Sequence, residues 1–166
     1  RSSRRASQVF HATKMNYSIA IVGATGVVGE ALLTLLEERD FPLETLYLLA
    51  SSRSAGKRID FLGTALKVED LATFDFSQVE IAFFSAGEAA SAEYAPQAVA
   101  AGCMVIDNSA HFRYDEDVPL VVPEVNVEAI AGFESRHIIA SPNGTTIQMV
   151  VALKPIHDAV GVERVN

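Results

Sequence analysis

Cysteine occurs once in the 166 residues, at Cys103. A single thiol excludes an internal disulfide and leaves no cysteine cluster for a structural zinc. No metal site is therefore expected, and a reducing, cytoplasmic setting is the natural inference. Long apolar runs are missing too: none approaches the roughly eighteen residues of a membrane span, so no membrane partner is expected. Acidic side chains are absent from residues 1–14, RSSRRASQVFHATK, which hold Arg1, Arg4, Arg5 and Lys14. Nine of the thirteen basic residues remain beyond that stretch against all twenty-one acidic ones, a balance of −12. A body so acidic is ill suited to wrapping nucleic acid. No internal repeat or low-complexity linker interrupts residues 15–142.

What is present describes a folded domain. An apolar share of 49% and a charged share of 20% belong to a globular chain, and this length suits one ordinary domain with a proper core. Residues 1–14 read as a leader, tag or vector-derived extension set apart from the fold. Their Arg- and Ser-rich, acid-free composition shares features with transit peptides, and Arg4-Arg5-Ala6-Ser7 with a basophilic kinase site. Met15 opens the body.

Asn16 to Val22 is a β-rich run ending at Gly23-Ala24-Thr25-Gly26-Val27-Val28-Gly29. A helical stretch, Glu30 to Arg39, follows, with apolar positions 28, 31, 32, 35 and 36 forming one face. Strand, glycine-rich turn and helix make the setting of a dinucleotide fingerprint, here spaced GxxGxxG. Gly23 permits a tight turn, Gly26 lets backbone approach a pyrophosphate, and Gly29 lets the helix pack on the strand. The alternative is a glycine-rich turn that binds nothing. The next strand, Leu46 to Ala50, runs into Ser51-Ser52-Arg53-Ser54-Ala55-Gly56-Lys57. An NAD site usually places a carboxylate there; hydroxyls and an arginine fork suit a 2′-phosphate instead, so NADP is preferred. An incidental arginine in a polar loop is the competing reading.

Arg58 to Asp70 reads as two short strands around Gly63, and Val79 to Phe84 as a buried strand that runs into Ser85-Ala86-Gly87. Small residues at that strand end would lie against the cofactor, or simply start a helix. Glu88 to Ala101 is helical and stops at Gly102. The strand Cys103 to Ile106, in which Cys103 is a small core residue, ends in Asp107-Asn108-Ser109-Ala110-His111-Phe112-Arg113. Arg113 either clamps a phosphate or carboxylate or pairs with Asp115 or Glu116. His111 is either a base or a structural residue. Asp115 to Pro119 is an exposed turn, and Leu120 to Asn126 leads into a short helix. His137 to Ala140 is the last strand, and from Ile147 a helix runs to about Ala159. Strands alternating with helices give an α/β fold: a Rossmann-type, mostly parallel sheet with helices on both faces. Between the last strand and helix lies Ser141-Pro142-Asn143-Gly144-Thr145-Thr146, where helix N–H groups and dipole favour developing negative charge.

Together GATGVVGEALL, LLASSRSAGK, FFSAG, VIDNSAHFRYDEDVPLVVPEVN and IIASPNGTTIQMVVALKPIHDAVGVERVN resemble aspartate-β-semialdehyde dehydrogenase of the bacterial type, from about Met15 to Asn166. That resemblance implies the reductive dephosphorylation of β-aspartyl phosphate with NADPH, on the route to lysine, threonine and methionine. It implies that Thr25, Gly26, Val27 and Val28 form the pyrophosphate loop, and that Ser52, Arg53 and Ser54 take the adenosine phosphate. Arg113 corresponds to the arginine that holds phosphate, with Asn108 in the same polar loop, and Asn143 to the asparagine beside the nucleophile. In the implied mechanism a cysteine thiolate attacks the acyl carbon, phosphate leaves, and hydride reduces the thioester.

Two departures stand out. Family members read Pro-Asn-Cys-Ser-Thr where this chain reads Pro142-Asn143-Gly144-Thr145-Thr146, and glycine cannot form the covalent intermediate. The sequence also stops at Asn166, before a glutamine, an arginine and a histidine that the family's next domain supplies. On this reading residues 15–142 are the NADP-binding domain and 143–166 begin a catalytic and dimerisation domain. The helix after Gly144 then keeps an apolar face uncovered, favouring self-association or pairing with a full-length subunit.

Overall fold

The computed structural model describes residues 16–165; the tail 1–14 and Met15 lie outside them. β1 (Tyr17–Val22), β2 (Leu43–Ala50), β3 (Arg58–Phe61), β4 (Thr64–Asp70), β5 (Ile81–Phe84), β6 (Met104–Asp107) and β7 (Ile138–Ala140) form one sheet. Their order is β3-β4-β2-β1-β5-β6-β7, and all neighbours are parallel except the antiparallel β3–β4 pair. That pair is the expected hairpin around Gly63. Its two-residue turn puts Leu62 and Gly63 at φ 49° and 75°, the paired positive φ of a turn that matches strand twist. Edge strand β7 is covered by residues 119–121: Ala140 N–H donates to the Pro119 carbonyl, and Val121 N–H to the Ala140 carbonyl, at 2.9 Å each.

Parallel strands need crossovers, and the helices supply them on both faces. In β1, Ile21 packs on one side with Leu48, Ala50 and Val68, under Leu33 and Leu36 of α1 (Val27–Glu38). Its neighbours Ala20 and Val22 face the other side with Ala82, Phe84 and Val105, under Ala95 and Ala98 of α2 (Glu88–Ala100). The period-two alternation of a strand thus feeds two cores. Burying Leu33 and Leu36 is worth about 2 kcal/mol each.

Element boundaries shift from the sequence expectation in informative ways. α1 begins at Val27, three residues earlier than Glu30, because Gly26 is its N-cap and Val27, Val28 and Gly29 are its first turn. Its inward face is Gly29, Leu32, Leu33 and Leu36, whereas Val28 and Leu35 are 41% and 43% exposed. Taking valine as the marker and glycine as mere turn rotates the expected face by one residue. α4 (Gly144–Val160) likewise starts at Gly144 rather than Ile147, and none of its seventeen residues is buried. It packs on the short α3 (Pro123–Asn126).

Gly29 is the tightest helix-to-strand approach. A Cβ there would lie 2.5 Å from the Gly23 carbonyl oxygen and 2.7 Å from Ala24 Cα, both backbone atoms. Gly29→Ala is expected to cost about 3 kcal/mol, overpacking outweighing the roughly 1 kcal/mol gain in helix propensity. Gly144→Ala, with nothing within 4 Å of its Cβ, is expected to be neutral or stabilising by about 0.5 kcal/mol. Urea unfolding of the two variants checks the contrast; equal stability would contradict it.

Candidate functional site

The chain crosses from β1 to β2 on one side and returns to β5 on the other side of β1. A crevice opens where that order reverses, at the carboxyl ends of the strands. Its edge is stitched by backbone. Gly23 N–H donates to the Leu49 carbonyl at 2.8 Å and Gly26 N–H to the Gly23 carbonyl at 3.0 Å, while Ser85 N–H reaches the Val22 carbonyl at 2.8 Å. The Ser85 hydroxyl bonds the same carbonyl at 3.0 Å. Gly23 sits at φ +92°, and a Cβ on it would meet the Ser85 carbonyl carbon at 2.8 Å; only glycine serves here.

The resulting cleft measures about 700 Å³. Gly23, Thr25, Gly26, Ser52, Arg53, Ser85 and Ala86 line it, as the sequence proposes. Five other proposed residues do not. Val27 and Val28 turn outward on the first turn of α1, Val27 being 84% exposed. Gly29 lies beneath that turn, where it lets the helix pack closely on the backbone below, as expected. Ser54 folds away in a turn closed by its N–H on the Ser51 carbonyl at 2.8 Å, and Gly87 caps α2.

The opposite wall was not read from the sequence: Asp70 at the end of β4, Leu71 and Ala72 just beyond it, and Ala89, Ala90, Glu93 and Tyr94 on α2. Spacing held the second signal, since 86, 89, 90, 93 and 94 repeat as one helical stripe. Asp70 gave none, because it reaches the cleft only by pairing across from Ala50. A carboxylate therefore borders the cleft although none follows β2, and it is engaged by the Ala72 N–H at 3.1 Å. A hydrogen bond to Glu93 pushes the Tyr94 phenol pKa above its ordinary value.

A second corner forms at the ends of β6 and β7. Arg113 is half-buried and donates from Nε to the Ser141 carbonyl at 2.9 Å and from Nη2 to the Asn108 carbonyl at 3.0 Å. Neither Asp115 nor Glu116 is its partner. Arg136 takes that role, 3.0 Å from Asp117 and 3.8 Å from Asp115. The His111 ring is exposed and packs edge-on to Phe112 at 4.6 Å, which fits the structural reading. Ser141 leads directly to Asn143, the N-cap of α4, whose Oδ1 accepts from Thr145 N–H at 2.9 Å and from the Thr145 hydroxyl at 2.7 Å. Gly144 is the first helical residue. Thr145 thus spends its proton on a neutral amide. Cys103 is fully buried, and burial pushes its thiol pKa up to about 12. Among the described residues no cluster of His, Cys, Asp or Glu could hold a metal.

With this geometry in hand, comparison with known proteins is direct. Residues 18–133 match the family described as semialdehyde dehydrogenase, NAD binding domain. Aspartate-semialdehyde dehydrogenase 2 of Vibrio cholerae is 61% identical over 150 residues, covering 90% of this chain and 44% of that protein. Aspartate semialdehyde dehydrogenase II from the same organism, in a crystal structure complexed with ASA, superposes with a TM-score of 0.88 at 60% identity, over 90% of this chain and 49% of that one. The Candida albicans enzyme, crystallised with NADP, gives a TM-score of 0.73 at 28% identity, over 89% of this chain and 48% of that one. The chain spans less than half the length of the curated relatives it matches.

The two thiol environments predict a sharp contrast in Gly144→Cys. A cysteine at the first turn of α4 meets open space and the positive end of the helix, which lowers a thiol pKa below its usual value of about 8.5. Titration with a chromogenic disulfide at pH 7 should show one fast thiol in this variant and none in the parent, whose Cys103 reacts only after unfolding. A fast thiol in the folded parent would overturn the assignment.

Proposed function

We propose, from the premise that this chain belongs to the family of semialdehyde dehydrogenase NAD-binding domains, that its cleft binds NADP and that the chain binds without turnover. The observation that carries the reading is the cleft at the strand-order reversal, with Arg53 and the Ser51 and Ser52 hydroxyls at one end and Thr25 and Gly26 at the N-terminus of α1. Free N–H groups and the helix dipole there suit a pyrophosphate. Arg53 and Ser52 offer charge-assisted bonds to a 2′-phosphate. When bound, the cofactor supplies hydride for the family's reduction of β-aspartyl phosphate to aspartate semialdehyde in lysine, threonine and methionine biosynthesis. In that reaction Arg113 would hold the phosphoryl group, assisted by Asn108, while Asn143 shapes the helix start. Gly144 brings no thiol to attack the acyl carbon, and the Thr145 hydroxyl is committed to Asn143. Among the described residues no helix is long and apolar enough to cross a membrane. The acidic body and the single buried thiol fit a cytoplasmic protein with no nucleic-acid partner.

A second reading rests on α4. Met149, Ile156 and Val160 share one face of it and are 46–78% exposed, an uncovered apolar stripe suited to self-association or to pairing with a longer subunit.

NADPH and NADH titrations followed by nicotinamide fluorescence or calorimetry test the first reading. NADPH should bind more tightly, and Arg53→Ala should cost it about tenfold or more while leaving NADH unchanged. Failure to bind NADPH at millimolar concentration, or an unaltered preference in Arg53→Ala, defeats it. For the second, light scattering on a sizing column should show mass rising with concentration, and Ile156→Glu should abolish the rise; a monomer at every concentration argues against it.

A further inference from the structure

Asp107 ends β6 with no exposure to solvent, and a buried carboxylate persists only where its oxygens are satisfied. Three donors reach it. The Ser91 hydroxyl at 2.7 Å and the Ser109 N–H at 3.0 Å meet Oδ1, and the Ser109 hydroxyl meets Oδ2 at 2.7 Å. These donors come from opposite sides. Ser91 belongs to α2, the helix that walls the dinucleotide cleft. Ser109 opens the loop that carries Arg113, and its oxygen also accepts the His111 N–H at 3.1 Å. The loop is therefore wound about one carboxylate.

Both carbonyls that hold Arg113 hang on the same residue. Asn108 is the next residue in the chain, and Ser141 donates its N–H to the Asp107 carbonyl at 2.8 Å. Two of the five guanidinium N–H groups are spent on Asn108 and Ser141, leaving three for an anion. We propose that Asp107 is a positioning residue. Through Ser109 and Ser141 it sets the guanidinium of Arg113 beside the N-terminus of α4, where a phosphoryl group is clamped. The inference deepens the reading that Arg113 takes substrate phosphate, and rests on it for the identity of the anion. A clamp whose donors are misaimed loses affinity even when the fold survives.

The test follows the Arg113 Nε–H by ¹⁵N-edited NMR in the full chain, with inorganic phosphate as the probe. Ser109→Ala removes one donor and the His111 acceptor; Ser109→Thr restores the hydroxyl. Asp107→Asn removes an acceptor oxygen, and should it fail to fold, Ser109→Ala carries the test. In Ser109→Ala the protected Nε–H resonance should disappear and phosphate should bind about tenfold or more weakly, both returning in Ser109→Thr. Leu36→Ala, a core truncation on the other face of the sheet, should lower the melting temperature and leave phosphate affinity unchanged. A Ser109→Ala protein that keeps the Nε–H protection and the parental phosphate affinity overturns the proposal. If the parent binds no phosphate, the reading of Arg113 as a phosphate clamp fails, while the Nε–H comparison still decides the positioning role.

Discussion

The first turn of α1 lies on the backbone of the turn that follows β1 with no room for a methyl group, and the cleft depends on that approach. A side chain on Gly29 would collide with the Gly23 carbonyl, and one on Gly23 with the backbone of Ser85. The three segments therefore meet as bare backbone. That lets the Gly26 N-cap and the N–H groups behind it open toward the crevice, with no side chains screening them. It also fixes α1 over Leu48, Ala50 and Val68, so one contact sets both the lower core and the anion-facing end of the helix. The cost is a stretch with little tolerance, since each glycine answers to backbone atoms that cannot rotate aside.

A second constraint sits two strands away. Burying Asp107 removes a charge from water, a penalty of several kcal/mol before compensation. Three hydrogen bonds to the charged group, each worth about 1.5–3 kcal/mol, can offset it. An apolar residue would pack there more cheaply, but it could not tie Ser91 of α2 to Ser109 of the loop. The network joins the wall of the dinucleotide cleft to the corner where Arg113 sits, so the two sites share one rigid frame.

Signals that live within a few residues were legible in the sequence. The glycine spacing, the alternation of strands with helices, the hairpin at Gly63 and the placement of Cys103 in the core all rest on local rules of backbone or burial. Resemblance then placed Ser52, Arg53, Thr25 and Gly26, which the cleft does bring together. What was not legible depends on pairing across the sheet. Asp70 reaches the cleft because β4 lies beside β2 in register, and no rule about distance from the glycines anticipates it. The α2 stripe of Ala89, Ala90, Glu93 and Tyr94 was readable as spacing, but its alanine content hid its function behind helix propensity. Arg113 illustrates the same limit: nearby acids made ion pairing plausible, yet two carbonyls, one of them twenty-eight residues away, take its donors.

Gly144 is the position where local physics gives no reason for the residue found. The backbone there needs no positive φ, a Cβ would meet nothing within 4 Å, and a first-turn glycine weakens a helix rather than strengthening it. Asn143 still caps the helix, and the Ser141 carbonyl just before it still anchors Arg113. Packing, capping and electrostatics at this corner would accept a cysteine without rearrangement. Beyond that small penalty to the helix, glycine here removes only a side chain. The corner keeps its helix cap and its anchor for Arg113, and a cysteine side chain would fit it without displacing either.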